Sequence, residues 1–386
     1  MSDEFGDQLK EADGQMVFKP LTPTDTLIKG RLIEEPAPVD AIVNCYGIPM
    51  LPRGIVGAIV AEGGAGKTYW FIQMALLMAR AVTPGPMPCP VTWGPLSCPV
   101  HLNVLALFAE DPQTESDRRL WRASLGDFPP GLHAVSVTGK IGPLMKLDNG
   151  NPARTEWYDW LRETIENHPG LDVLMLDPKS RFYGLVENDN DHNTQWVACL
   201  ESLAIAYNLT ILFSHHVSKQ RAGEMSQHMS RGGSGLVDAC RWVVGLTSMN
   251  EKTAELYDVN YRNYIEMDLV KSNYTAKLQH PLYFERDEVG LLHHRDLGTD
   301  RMDAMTRHLI ELLTAEPFEL TRRELRRDKK GKSIAEAMEG QFARFTRSKS
   351  MDVCLDYGTK KGWLSEITIG AGSHKKTIVR VNGMDN

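Results

Sequence analysis

The chain has 386 residues, enough for one large core and a second, smaller one, because single cores stop growing near roughly 250–300 residues. Its composition, 42% hydrophobic and 24% charged, is that of a globular protein, and no run reaches the roughly 18 apolar residues that span a bilayer, which excludes a membrane-spanning helix. A formal net charge of −7 excludes a uniformly basic nucleic-acid binder, but the charge is uneven: residues 299–386 hold 17 Lys+Arg against 13 Asp+Glu, and the first 298 hold 26 against 37.

The first 40 residues are polar and acidic, without a basic n-region or an apolar h-region, so no secretory signal is expected and the cytoplasm is the expected compartment. They have few apolar positions, end in "EEPAPVD", and predict a flexible lead-in. The six cysteines, Cys45, Cys89, Cys98, Cys199, Cys240 and Cys354, lie scattered in mostly apolar surroundings, a pattern of reduced, packed thiols. In "CPVTWGPLSCPVH" the spacing of Cys89, Cys98 and His101 is too wide for a zinc knuckle, and the stretch predicts a Pro/Gly-rich connector.

From residue 41 onward, short apolar runs alternate with helical patterns. "GIVGAIVAE", "LNVLALFAE", "LDVLMLD" and "LTILFSHH" are short and branched enough for buried strands, which predicts an α/β fold with a mostly parallel sheet flanked by helices. The first of these runs leads into "AEGGAGKT" and then an apolar helical pattern. A loop from strand to helix directs backbone N–H groups at one point, and the helix N-terminus favours an anion there. Gly63, Gly64, Ala65 and Gly66 form the expected phosphate cradle, Lys67 contacts the β- and γ-phosphates, and the Thr68 hydroxyl ligates Mg²⁺. Ala61 stands where the usual pattern has its first glycine.

Hydrolysis also needs a metal-oriented carboxylate and a base. Asp177 closes "LDVLMLD" and is the expected carboxylate holding Mg²⁺ through water, while Glu110, with Asp111 as its alternative, closes "LNVLALFAE" as the expected base. Neighbouring parallel strands bring such groups to one carboxyl edge. His215 or His216, at the end of "LFSHH", is placed to sense a γ-phosphate. "VSKQRAGEMSQHMS" has no apolar periodicity and predicts a loop, followed by "RGGSGLVDACRW". "WVVGLTSM", "YIEMDLVKSNYT" and "PLYFERDEVGLLHH" predict antiparallel strands that extend the sheet to about residue 298. Residues 299–386 predict helices and then a basic hairpin, a winged-helix-like domain, with a helical docking or oligomerisation domain as the alternative.

The motifs "GGAGKT", "LFAEDP", "MLDPKSRFYGLVENDN", "SHHVSK", "RGGSGLVDACRW" and "LVKSNYT", in this order, resemble those of RepA-type hexameric replicative helicases in the RecA/KaiC-like, AAA_25-like P-loop ATPases. The resemblance covers about residues 41–295, and loops of that family also often lack the first glycine. It implies a RecA-like core, a ring that is usually a hexamer, and ATP bound between subunits. By motif position it implies that Glu110 is the catalytic base, Asp177 the metal-associated acid, His216 the sensor and Arg241 a finger reaching the next subunit's nucleotide. Lys271 resembles the lysine of a paired Lys-x-Arg contact, but Asn273 occupies the second basic position, which leaves Arg231 and Lys271 as alternatives to Arg241.

In the resembling family, the segments after Asp177 and His216 face a central channel, where Arg181, Lys219 and Arg221 would meet single-stranded DNA phosphates. The implied function is an ATP-driven DNA helicase for replication of a plasmid, phage or other mobile element, with a primase or initiator as candidate partner. Two other functions fit the same motifs: a recombination or repair mediator that hydrolyses ATP without unwinding, and a DNA-binding initiator or regulator acting through the basic tail.

Overall fold

The computed structural model describes residues 9–12, 15–18, 35, 40–80, 91–217, 235–315, 319–326, 332–371 and 375–382. Two compact units divide the chain: residues 1–245 with 269–279, and residues 246–268 with 280–386. Within the first 40 residues, Leu9–Ala12 and Gln15–Phe18 pair as an antiparallel hairpin.

The first unit is built on parallel strands β1 (Val56–Glu62), β2 (Val104–Phe108), β3 (Leu132–Ser136), β4 (Val173–Asp177) and β5 (Thr210–Val217), in the order β3-β2-β4-β5-β1. The sheet continues past β1 with β6 (Trp242–Ser248) and then β7 (Tyr264–Ser272), through their residues in this unit. Every residue of β2 and β4 is buried, as strands covered on both faces require. Alternation sends Val56, Ala58 and Val60 of β1, Leu105 and Leu107 of β2, and Ile211 and Phe213 of β5 into one apolar cluster. That cluster is closed by helices α3 (Glu156–Glu166), α5 (Asn190–Tyr207) and α6 (Gly235–Ala239).

Helix α1 (Lys67–Ala79), buried along most of its length, packs with α2 (Gln113–Ser124) and contacts β2, β3 and β4. The predicted α/β architecture, a large mostly parallel sheet flanked by helices, is therefore the observed one. A separate four-stranded sheet joins Ala41–Cys45, Ile48–Pro52, Val91–Trp93 and Leu96–Cys98.

In the second unit, β7 pairs antiparallel with β8 (Leu282–Arg286), and β8 with β9 (Leu292–Arg295), the direction expected of these runs. Met249, Ala254 of helix α7 (Glu251–Tyr257), Tyr264 and Leu297 form one apolar cluster. This cluster is why residues 246–268 and 280–298, assigned by sequence to the core, belong to the same compact unit as residues 299–386.

Helices α8 (Leu297–Ala315), α9 (Arg322–Arg326), α10 (Lys332–Gln341) and α11 (Lys349–Lys360) share a second cluster that includes Leu309, Leu325, Met338, Leu355 and Leu364. The hairpin β10 (Leu364–Ile369) and β11 (Lys376–Val381) closes the chain, and the Val379 N–H donates to the Leu320 carbonyl at 2.9 Å. No helix among the described residues is long and apolar enough to cross a membrane.

Candidate functional site

Strand β1 ends at Glu62, and the loop after it turns through Gly64 (φ 80°) and Gly66 (φ 83°) into α1. Both glycines have left-handed backbone, which side chains disfavour. A Cβ at Gly63 or Gly64 would meet nothing within 4 Å, so the space above the loop is open. Helix α1 has no side-chain cap and no acidic residue in its first turn, so its positive end is not neutralised locally. Ala61 is fully buried in β1 opposite His216 of β5, which shows why a small residue suffices where the usual loop has a glycine.

Register brings the other groups to the same edge. Asp177 ends β4 beside Phe108 of β2, His216 lies two residues beyond Ser214 on β5, and the Ala109 N–H donates to the Asp177 carbonyl at 2.8 Å. The Lys67 side chain is 6% exposed; its Nζ lies 2.8 Å from His216 Nδ1 and donates to the Glu62 carbonyl at 3.3 Å. Burial lowers the Lys67 pKa, and Asp177, Glu110 and Glu62 oppose that shift. Burial also lowers the His216 pKa, helped by the Lys67 charge. With Lys67 protonated, His216 Nδ1 accepts and the imidazole is neutral.

Asp177, 6% exposed, accepts hydrogen bonds from the Ser214 hydroxyl and from Thr68. Burial raises its pKa, while those two bonds and the Lys67 charge favour the ionised form. Thr68 and Asp177 thus present adjacent oxygen donors, and a hard cation that keeps several waters fits such a pair.

Glu110 is exposed, forms no hydrogen bond or ion pair among the described residues, and lies close enough to Lys67, Asp177 and His216 to act on their charges. Asp111, the alternative base, is tied to Arg119 at 2.5 Å, and its carbonyl accepts from Ser136 and Thr138. The two adjacent acids thus differ: among the described residues, Asp111 is ion-paired and Glu110 is not.

Arg241 stands apart from this group. Its side chain is exposed and forms no ion pair among the described residues, with Asp238 or any other acid, while its carbonyl accepts from the Asn273 N–H at 3.1 Å. Lys271 donates to the carbonyls of Val237 (3.1 Å) and Asp238 (2.8 Å), so in this chain it holds the end of α6. Arg181 is exposed on the short helix α4 (Lys179–Phe182). Lys219, Arg221, Arg231 and Cys89 lie outside the described residues. Cys98 is buried and its thiol donates to the Val100 carbonyl at 2.9 Å.

Sequence reasoning missed two groups. Ser214 was legible only through its inward register in "LFSHH". Lys179, in "DPKSRF", is 1% exposed; its Nζ donates to Asn193 Oδ1 at 2.8 Å and lies 3.6 Å from the Tyr183 ring centre. Burial lowers its pKa to about 8. A charged residue beside a strand end gives no sequence signal that it is buried.

A family profile described as an AAA domain matches residues 18–222, more than half of the chain. Among solved structures, the chain is similar to one described as an ATPase domain, at 12% identity and a TM-score of 0.42, over 63% of this chain and 86% of that one. At that score the likeness bears no weight on function.

Proposed function

The chain belongs to this AAA-domain family of P-loop ATPases, and from that premise we propose that it is an ATP-hydrolysing hexameric DNA helicase that moves on single-stranded DNA in the replication of a plasmid, phage or other mobile element. The observation that carries the proposal is the meeting of Lys67, Thr68, Asp177, Ser214 and His216 at the ends of three neighbouring parallel strands, with Lys67 on His216 and Thr68 on Asp177.

In this proposal the loop N–H groups and Lys67 bind the triphosphate of ATP. Thr68 and Asp177 would hold Mg²⁺, which would neutralise charge on the phosphate oxygens. Ser214 keeps Asp177 oriented and ionised. Glu110 takes a proton from the water that attacks the γ-phosphorus; the bond to the ADP oxygen breaks, and phosphate and ADP leave. Lys67 leaves His216 when it engages phosphate, which frees the imidazole Nδ1 and links nucleotide occupancy to the end of β5. Arg241 reaches the nucleotide of the next subunit.

The second unit supports a DNA- or partner-docking role. Helix α11 followed by a hairpin whose β11 bonds back to Leu320 agrees with a winged-helix-like arrangement. On it, Arg322 pairs with Asp356 at 2.6 Å and with Glu366, and Arg326 pairs with Asp352 at 2.5 Å, so DNA contact would fall to exposed Lys349, Lys360 and Arg380. A primase or an initiator protein is the proposed partner class.

The test is phosphate release with and without single-stranded DNA, paired with electron microscopy in a non-hydrolysable ATP analogue. DNA-stimulated hydrolysis and closed six-membered rings are expected. Helical filaments would point instead to a recombination or repair mediator.

A further inference from the structure

We propose that Lys179 is a positioning residue that seats Arg241, acting through the first turn of α5 and through α6; this deepens the proposed function and rests on Arg241 acting in trans. The path is continuous. Lys179 lies two residues beyond Asp177, and its ammonium group binds Asn193 Oδ1 at 2.8 Å. Asn193 is itself fixed, with Nδ2 donating to the carbonyls of Glu187 (2.9 Å) and Asp189 (2.8 Å). In the same turn Asn190 Oδ1 accepts from the N–H of Gly235, the first residue of α6, at 2.9 Å.

The two helices touch there so closely that a Cβ on Gly235 would lie 2.6 Å from Asn190 Oδ1 and 2.7 Å from its Cα. Helix α6 therefore has one seat on α5. Its other end is held by Lys271 on the Val237 and Asp238 carbonyls, and the chain then passes through fully buried Cys240 to exposed Arg241. Lys179 is near enough for its charge to act on the buried Cys240 thiol.

A buried ammonium is costly to keep, because its desolvation is repaid only by good partners. Among the described residues, Lys179 has one side-chain hydrogen-bond acceptor and the faces of Tyr183 and Trp196, at 3.6 and 5.8 Å. It spans the junction between the segment carrying Asp177 and the helix pair that ends at Arg241. Its removal shifts that junction, and a catalytic group displaced by about 1 Å loses on the order of 10² in rate.

The experiment uses the full chain. Lys179→Met should lower kcat about 10²-fold with KM for ATP and melting temperature little changed, and Lys179→Arg, which keeps the charge, should recover part of the loss. The double variant Lys179→Met/Arg241→Ala should be no slower than Arg241→Ala alone. Mixing Lys179→Met with Glu110→Gln subunits should restore activity, because an intact finger from the second then faces an intact base in the first. The control mixture is Arg241→Ala with Glu110→Gln, and tagged co-purification establishes that mixed assemblies form.

If the control recovers activity and the Lys179→Met mixture does not, Lys179 serves its own Asp177 and the proposal fails while the trans reading stands. If the control also stays inactive in proven mixed assemblies, the trans reading fails. Additive slowing in the double variant likewise overturns the proposal. Asn190→Ala, an exposed change in the same path, should show the same mixing behaviour with a smaller loss, and it decides the question if Lys179→Met does not fold; full activity in Asn190→Ala overturns the path.

Discussion

Lys67 and Arg241 are both cations near the ends of sheet strands, and they are held in opposite ways. Lys67 is almost wholly buried, bonded to His216 and Glu62, and surrounded by the carboxylates that its own strand edge supplies. Arg241 is exposed, and its guanidinium has no ion-pair partner among the described residues. Under the proposed function the difference has a physical reason: a charge used on the chain's own ligand would be desolvated and preorganised, whereas one offered to a neighbour would stay in solvent until that neighbour arrives.

The largest effect should come from the buried member of this pair. Lys67→Ala should bring phosphate release to background and weaken nucleotide binding, because it removes the ammonium that lies against His216 beside Asp177 and Glu110. Retained tight ATP binding, measured by calorimetry, would break the comparison at its first term.

Arg241→Ala should leave nucleotide binding intact and reduce turnover by about 10³ to 10⁵, the scale of an arginine finger. A weakened nucleotide affinity would instead assign Arg241 to its own subunit's site. Glu110→Gln should keep nucleotide affinity and lower kcat by about 10² to 10⁴, the usual contribution of a general base. Near-normal turnover would move the role elsewhere, although Asp111 is occupied by Arg119.

The smallest effect is one of stability. The Lys179 pKa is lowered to about 8 in the folded chain from the ordinary 10.5, so the unfolded chain binds more protons between those values. Stability of the wild type relative to Lys179→Met should therefore rise with pH across that window and be flat below it. Denaturant unfolding at a series of pH values measures this, and a fall in relative stability across the window would mean that its partners favour the ammonium more than burial disfavours it.

The fold was legible because buried parallel strands write themselves as short branched runs such as "LDVLMLD", and the candidate site was legible where its residues stand at strand ends: Lys67, Asp177 and His216 needed only the strand order to meet. Sequence left Glu110 and Asp111 as alternatives because they are adjacent, and only the Arg119 ion pair separates them. Lys179 was missed because burial of a polar residue depends on distant partners, here Asn193 and Trp196, which no local period encodes. The seat of α6 escaped for the same reason, since Gly235 and Asn190 are 45 residues apart in sequence. The grouping of residues 246–268 with the tail depends on Leu297 packing with Met249 and Tyr264, again a tertiary matter.

The central claim is that ATP hydrolysis at this edge drives DNA strand separation. Strand displacement on a forked duplex, with a labelled strand and excess ATP, tests it most directly. The wild-type chain should release the labelled strand in step with phosphate release, and Lys67→Ala should release none. Steady, DNA-stimulated hydrolysis by the wild type without any strand release, on forks of either polarity, would contradict it.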